Sequence, residues 1–167
     1  MPEHTHKTTS ACLPEQLLVA FFGERRLTIA LAESCTGGLI AARITSIPGA
    51  SAMFNGGMVC YSNNVKRDLL GVPQAIFEKE GAVSASCAKA MAEGARKVLK
   101  ANIAVSVTGI AGPGGGTPEK PVGLVFIGIA TETAVSAEEH VFSGDRASIR
   151  SLAADAAMTA AMIAAKH

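Results

Sequence analysis

Tryptophan is absent from this 167-residue chain and aromatic residues make up only 4% of it, so a core has to come from the aliphatic side chains within its 49% hydrophobic content. Such small residues suit helices laid closely on a sheet. No apolar run approaches the roughly 20 residues of a membrane-spanning helix, and no membrane partner is expected. The opening MPEHTHKTTS is polar, with no apolar segment and no small-residue cleavage site, so a cytoplasmic location is the expectation. Charge of one sign is not in excess either: 15 basic and 14 acidic residues leave a net charge of +1, scattered along the chain. That excludes the basic footprint of a nucleic-acid binder. Cys12, Cys35, Cys60 and Cys87 form no C-x-x-C pair and have no histidine at ligand spacing. They read as small buried thiols, with neither a metal nor a cofactor expected. Histidine is scarce as well: His4, His6 and His167 lie near the ends, and only His140 is internal.

What is present reads as a disordered polar tail over 1–10 and a single domain over 11–167, a length that can bury a core without disulfides or a structural metal. Leu17, Leu18, Phe21 and Phe22 predict a first helix over 13–22, closed by Gly23. A buried strand over 27–32 runs into Glu33-Ser34-Cys35-Thr36-Gly37-Gly38, and a helical pattern follows over 39–45. Pro48-Gly49 breaks that helix, 57–61 reads as a second strand, and 63–70 as a short helix stopped by Gly71. The clearest amphipathic helix covers 84–100, with Cys87, Ala88, Met91 and Ala95 on one side and Lys89, Glu93 and Arg96 on the other. A β-branched strand over 103–107 leads into a glycine-rich loop over 108–116, then a hairpin of strands over 122–130 and 134–142, and a last alanine-rich helix over 145–165. Strands alternating with helices and then a hairpin predict an α/β fold, a three-layer α/β/α sandwich around a mixed sheet.

The chemistry has to be sought without a histidine. Ser34 stands at the carboxyl end of a predicted strand and beside a helix N-terminus, where open α/β sheets place ligands and where a phosphate or an oxyanion could be stabilised. The same S-x-T-G-G also serves as a plain cap and turn. Ala32 occupies the place of the first glycine of a G-x-S-x-G elbow, and with His140 reading as a strand side chain no Ser-His-Asp triad can be built. A base for Ser34 therefore has to be a lysine or a carboxylate, the variant in which lysine activates serine being an established alternative. Ser86 and Lys89 match S-x-x-K but fall on the polar helix face without companion motifs, and read as solvated surface. Lys66, just inside a predicted helix and following Tyr61, is open to two readings, surface residue or base. The loop from Gly109 through Gly112 and Gly114 lets backbone approach a bound group but lacks the G-K-[ST] ending of a P-loop. Lys120 and Arg146 stand available as phosphate partners, and Arg146 occupies a first helical turn, where the dipole disfavours a cation.

A-E-S-C-T-G-G at 32–38, Y-S-N-x-x-K at 61–66, G-A-V-S at 81–84, T-G-I-A-G-P-G-G-G with K-P-V-G over 108–123, and Gly144-Asp145-Arg146 stand in one order. Together they resemble the C-terminal domain of the CinA family. The resemblance implies a nicotinamide-nucleotide amidase that converts nicotinamide mononucleotide and water to nicotinic acid mononucleotide and ammonia in pyridine nucleotide salvage, usually as a homodimer. It further implies Ser34 as nucleophile, Tyr61 and Lys66 as proton-transfer residues, and Gly112, Gly114 and Arg146 as substrate contacts. Glu33, Thr36, Gly37, Gly38, Asn63, Thr108 and Gly109 complete the implied binding set. The alternative is a non-catalytic phosphate- or nucleotide-binding module linked to competence or DNA damage, in which Ser34 caps a helix and binds without reacting.

Overall fold

The computed structural model describes residues 12–166; the tail expected to be disordered over 1–10 lies outside them. Six helices and five strands follow in the order α1 (Pro14–Arg25), β1 (Ile29–Glu33), α2 (Leu39–Thr45), β2 (Phe54–Val59), α3 (Asn63–Leu70), α4 (Gln74–Lys79), α5 (Ala85–Leu99), β3 (Ile103–Gly109), β4 (Leu124–Ala130), β5 (Val135–Val141) and α6 (Arg146–Ala164). The sheet runs β2-β1-β3-β4-β5. β1 lies parallel to β2 and β3, whereas the β3–β4 and β4–β5 pairs are antiparallel. It is a mixed sheet between two helical layers, the three-layer α/β/α sandwich.

Alternation along the strands decides what each layer packs against. Ile29 and Leu31 of β1 and Val105 and Val107 of β3 face α1, α2 and α6, where Phe22, Ile44 and Met158 complete a core. Ala30, Ala32 and Ala104 face the other way, toward α3 and α5 with Leu70, Cys87 and Met91. The second face is built from small side chains because α5 sits close on it. Ser106 donates its hydroxyl to the Ala88 carbonyl at 2.6 Å. A Cβ on Gly128 would collide with that same carbonyl, so only glycine fits there.

Several boundaries differ from expectation, each for a local reason. α1 runs through Gly23 to Arg25, because Arg26 supplies the left-handed terminus at φ 53° and Leu27 donates back to the Phe22 carbonyl. A lone exposed glycine costs about 1 kcal/mol, too little to stop a helix whose other side is docked. β2 begins at Phe54 and ends before Tyr61, and α4, too short to show a period, was not legible at all. Cys12 is exposed, unlike Cys35, Cys60 and Cys87, which are buried as expected.

After β1 the chain crosses to β2 through α2 on one face; after β2 it returns to β3 through α3, α4 and α5 on the other. Connections leaving neighbouring strands for opposite faces open a crevice at the strands' carboxyl ends. The candidate site lies there.

Candidate active site

β1 delivers Ser34 into the crevice. The Ser34 N–H donates to the Val107 carbonyl at 2.9 Å, extending the ladder one residue past the strand, and the Gly37 N–H closes the turn on the Ser34 carbonyl at 3.1 Å. Gly37 and Gly38 then take φ of 60° and 93°, a left-handed path that glycine adopts without strain. Glu33 turns its side chain toward α2 and is 1% exposed. Its carboxylate accepts the N–H groups of Gly38 at 3.0 Å, Ile40 at 3.1 Å and Ala41 at 2.9 Å. The first N–H groups of a helix need acceptors, and a buried helix start cannot use water. The anion position expected for a substrate phosphate or oxyanion at the α2 N-terminus is therefore filled by the chain's own carboxylate.

α3 brings the lysine. Ser62 caps it, its hydroxyl accepting the Val65 N–H at 3.3 Å, and Lys66 and Leu70, four residues apart, form its buried side. Lys66 is 1% exposed, which removes the surface reading. Its Nζ stands 3.0 Å from Ser34 Oγ and 3.3 Å from the Tyr61 carbonyl oxygen. Burial holds the amine below the ordinary lysine value of 10.5; the groups pulling the other way are the thiols of Cys87, Cys60 and Cys35. Those thiols stay protonated near neutral pH, since burial pushes Cys35 and Cys87 up to about 11 and raises Cys60 as well. Among the described residues no carboxylate forms an ion pair with Lys66. A buried amine without an anion favours its neutral form, the only form that can accept a proton.

Tyr61 takes a different place from its motif partner. The residue is 62% exposed, and its phenol oxygen accepts from Arg146 Nη2 at 3.2 Å rather than bridging Ser34 and Lys66. Arg146, the first residue of α6, also donates through Nη1 to the Gly112 carbonyl at 2.8 Å, joining the glycine loop to the β2–α3 corner. A cavity of about 230 Å³ lies between these groups. It gathers Ser34, Tyr61, Asn63, Lys66, Thr108, Gly109 and Arg146 of the sequence-predicted set, together with Cys35, Ala82, Val83 and Ala111. Glu33, Thr36, Gly37, Gly38, Gly112 and Gly114 do not line it. Thr108 donates its hydroxyl to the Ala82 carbonyl at 2.8 Å, tying the two walls together. Lys120, considered as a phosphate partner, instead donates to the Glu80 and Val83 carbonyls and holds the α4–α5 connection.

A larger hollow of about 500 Å³ lies at the opposite ends of β1 and β3, beside Leu27, Asn102 and Thr131, but its lining contains no lysine or histidine. His140 lies outside both hollows, stacked on Phe142 with ring centroids 5.2 Å apart. Sequence reasoning passed over Arg150, whose Nε reaches the Thr36 carbonyl at 3.2 Å. Its spacing of four from Arg146 was the one available signal, since it puts both on the same helical side.

Comparison with known proteins places the chain in a family and matches its fold. The chain is 41% identical to the competence/damage inducible protein CihA from Agrobacterium tumefaciens, whose crystal structure superposes with a TM-score of 0.88 over 95% of this chain and 100% of that one. A Klebsiella pneumoniae competence-damaged protein (CinA) superfamily structure is 30% identical, with a TM-score of 0.86 over 91% of this chain and 97% of that one. A CinA-like protein of Geobacter metallireducens is 56% identical over 137 residues, which are 82% of this chain and 33% of the relative. The chain thus spans about a third of the length of the curated relatives it matches. The profile of the CinA C-terminal domain matches residues 13–164, and the chain belongs to that family.

Proposed function

We propose that the chain is a serine amidohydrolase acting on nicotinamide mononucleotide. The observation that carries this reading is the buried 3.0 Å contact between Lys66 Nζ and Ser34 Oγ, with the lysine held toward its neutral form by burial. In the first half-reaction Ser34 Oγ attacks the carboxamide carbon while its proton passes to Lys66. The C–N bond then breaks, and the leaving nitrogen takes that proton and departs as ammonia. Water attacks the acyl-serine ester, giving one proton to Lys66. That proton returns to Ser34 as nicotinic acid mononucleotide leaves, so no metal or cofactor enters the balance.

The developing oxyanion cannot use the α2 N-terminus, which Glu33 fills. The N–H groups of Cys35 and Thr36 remain for it, because they adjoin Ser34 and neither is taken by a backbone carbonyl among the described residues. At about 230 Å³ the cavity is smaller than the roughly 300–1,000 Å³ of sites that enclose whole ligands. It seats the amide-bearing ring and leaves the ribose phosphate at the mouth. There Arg146 has no carboxylate partner among the described residues and offers a planar set of donors for phosphate.

The binding-module alternative loses its main support once the helix N-terminus is occupied internally, and it gives no reason to bury a lysine against a serine. The test is ammonia release from nicotinamide mononucleotide by the purified chain. Turnover that disappears in Ser34→Ala supports the proposal, and absence of turnover in the wild type overturns it.

A further inference from the structure

The turn that carries Ser34 is held on its inner side by the Ser34 N–H and the Gly37 N–H, while its outer carbonyl, that of Thr36, accepts the Leu39 N–H at 3.2 Å, a local contact with the first residue of α2. Thr36 does not fix the turn through its own side chain: the residue is 0% exposed, and its hydroxyl is buried without a hydrogen-bond partner among the described residues. From outside the turn and α2, the carbonyl is held by Arg150, in the second turn of α6. It donates through Nε at 3.2 Å and through Nη2 at 2.5 Å to the one oxygen. Nη2 lies 3.6 Å from where a Gly37 Cβ would stand, so the guanidinium lies along the turn itself. No carboxylate pairs with Arg150 among the described residues. Its donors are therefore committed to this backbone group and not to an ion pair. One helical turn earlier, Arg146 holds Gly112 and the Tyr61 phenol. The amino end of α6 thus holds both the glycine loop with Tyr61 and the turn that carries Ser34.

We propose that Arg150 is a positioning residue for the nucleophile: its grip on the Thr36 carbonyl fixes the Ser34–Gly37 turn so that Ser34 Oγ stays in reach of Lys66 Nζ. The inference rests on the reading of Ser34 as the nucleophile. Arg150 does not line the cavity, so it acts through the turn and not on the substrate. Two N–H groups of a rigid plane define the direction of a carbonyl in a way that a single ammonium cannot. A nucleophile displaced by about 1 Å loses roughly a hundredfold in rate.

The experiment uses the full chain with Arg150→Gln and Arg150→Lys. Four readouts are taken: kcat and KM for nicotinamide mononucleotide, the rate of Ser34 labelling by phenylmethylsulfonyl fluoride, hydrogen exchange at the Gly37 amide, and the thermal midpoint. In Arg150→Gln the expected result is a fall of about 100-fold in kcat and in labelling. KM should stay within about threefold, exchange at Gly37 should rise roughly tenfold or more, and the midpoint should change little. Arg150→Lys should fall between Gln and wild type. Should Arg150→Gln fail to fold, Arg150→Lys carries the same readouts. Wild-type kcat, a rise in KM at constant kcat, or unchanged Gly37 exchange would each overturn the positioning role. If the wild type releases no ammonia yet Arg150→Gln still slows labelling and loosens Gly37, the substrate reading fails and the positioning role stands. If the wild type is not labelled either, Gly37 exchange alone decides.

Discussion

Arg43 and Lys66 both point inward, and they are treated in opposite ways. Arg43 of α2 meets Glu15 of α1 at 2.6 Å and Asp155 of α6 at 2.7 Å, tying three helices of one layer together. Lys66 is deeper and meets only a serine hydroxyl and a backbone carbonyl. Burial is the largest influence on both and works against the charge. At Arg43 the hydrogen bonds it donates to two carboxylates outweigh it and raise the pKa above the ordinary arginine value, whereas at Lys66 only neutral thiols pull upward and the pKa falls. A chain able to supply two carboxylates to one cation leaves the other without any. Pairing marks Arg43 as structural; its lack, with a hydroxyl in contact, is the contrast on which the proposed base role of Lys66 rests.

The comparison is broken most directly at Lys66. Arginine keeps the positive charge but cannot give up its proton, so Lys66→Arg should lower kcat by roughly a thousandfold or more, as should Ser34→Ala. In the wild type the pH–rate profile should rise as Lys66 loses its proton, with the midpoint below the ordinary 10.5 because burial depresses it. Most of the turnover surviving in Lys66→Arg would make Lys66 an electrostatic anchor and collapse the distinction from Arg43.

Stability should separate the two cations with opposite signs. Because the folded pKa of Lys66 lies below 10.5, the unfolded chain binds more protons between the two values, and stability climbs with pH through that window. Lys66→Met should remove this dependence and raise the thermal midpoint at neutral pH, with the gain shrinking as pH approaches 10.5. Arg43→Met should instead cost about 2 kcal/mol, less than a fully buried pair because Asp155 is half exposed, with kcat close to wild type. The Glu15 carboxyl is held below 4.5 mainly by its Arg43 hydrogen bond, so this contribution is present above that value and is lost as pH falls through the lower folded value. Thermal melts of both variants across pH check the signs; equal signs would mean that pairing does not divide structural from reactive cations here.

Much of the frame was legible before the structure. The strand before Ser34, the helix carrying Lys66 and the late hairpin follow from period and glycine placement, and so does the mixed sandwich. The pairing of Ser34 with Lys66 stood only in the resemblance to family motifs, because α3 reads as Asn-Asn-Val-Lys-Arg-Asp-Leu-Leu, polar nearly all round, and its inward side is set by docking on α5. The role of Glu33 was hidden for a related reason. Whether a carboxylate caps a helix or meets a ligand depends on the path of the turn between them, here two left-handed glycines that bring Gly38, Ile40 and Ala41 back over it. Arg150 showed no more than its spacing from Arg146, because only the tertiary crossing of α6 brings it to Thr36. Local pattern locates elements; side chains whose partners lie more than a hundred residues away become meaningful only once the layers are stacked.

The smallest expected effect tests the same division from its edge. Sequence reasoning left open whether Tyr61 or Lys66 takes the Ser34 proton, and the geometry separates them: the amine is 3.0 Å from Ser34 Oγ, whereas the phenol oxygen accepts from Arg146 at 3.2 Å on the exposed side. Removing the phenol oxygen in Tyr61→Phe deletes one hydrogen bond to a charged group at the cavity mouth, a loss of about 1 kcal/mol or roughly fivefold to tenfold in kcat/KM. The loss should fall mainly on KM, since Tyr61 helps hold Arg146 at the proposed phosphate position, and the alkaline limb should keep its position because Lys66 is untouched. Steady-state kinetics of Tyr61→Phe across pH makes the measurement. A thousandfold fall in kcat, with the limb displaced, would move the proton-accepting role to the phenol and leave Lys66 to hold charge, as Arg43 does.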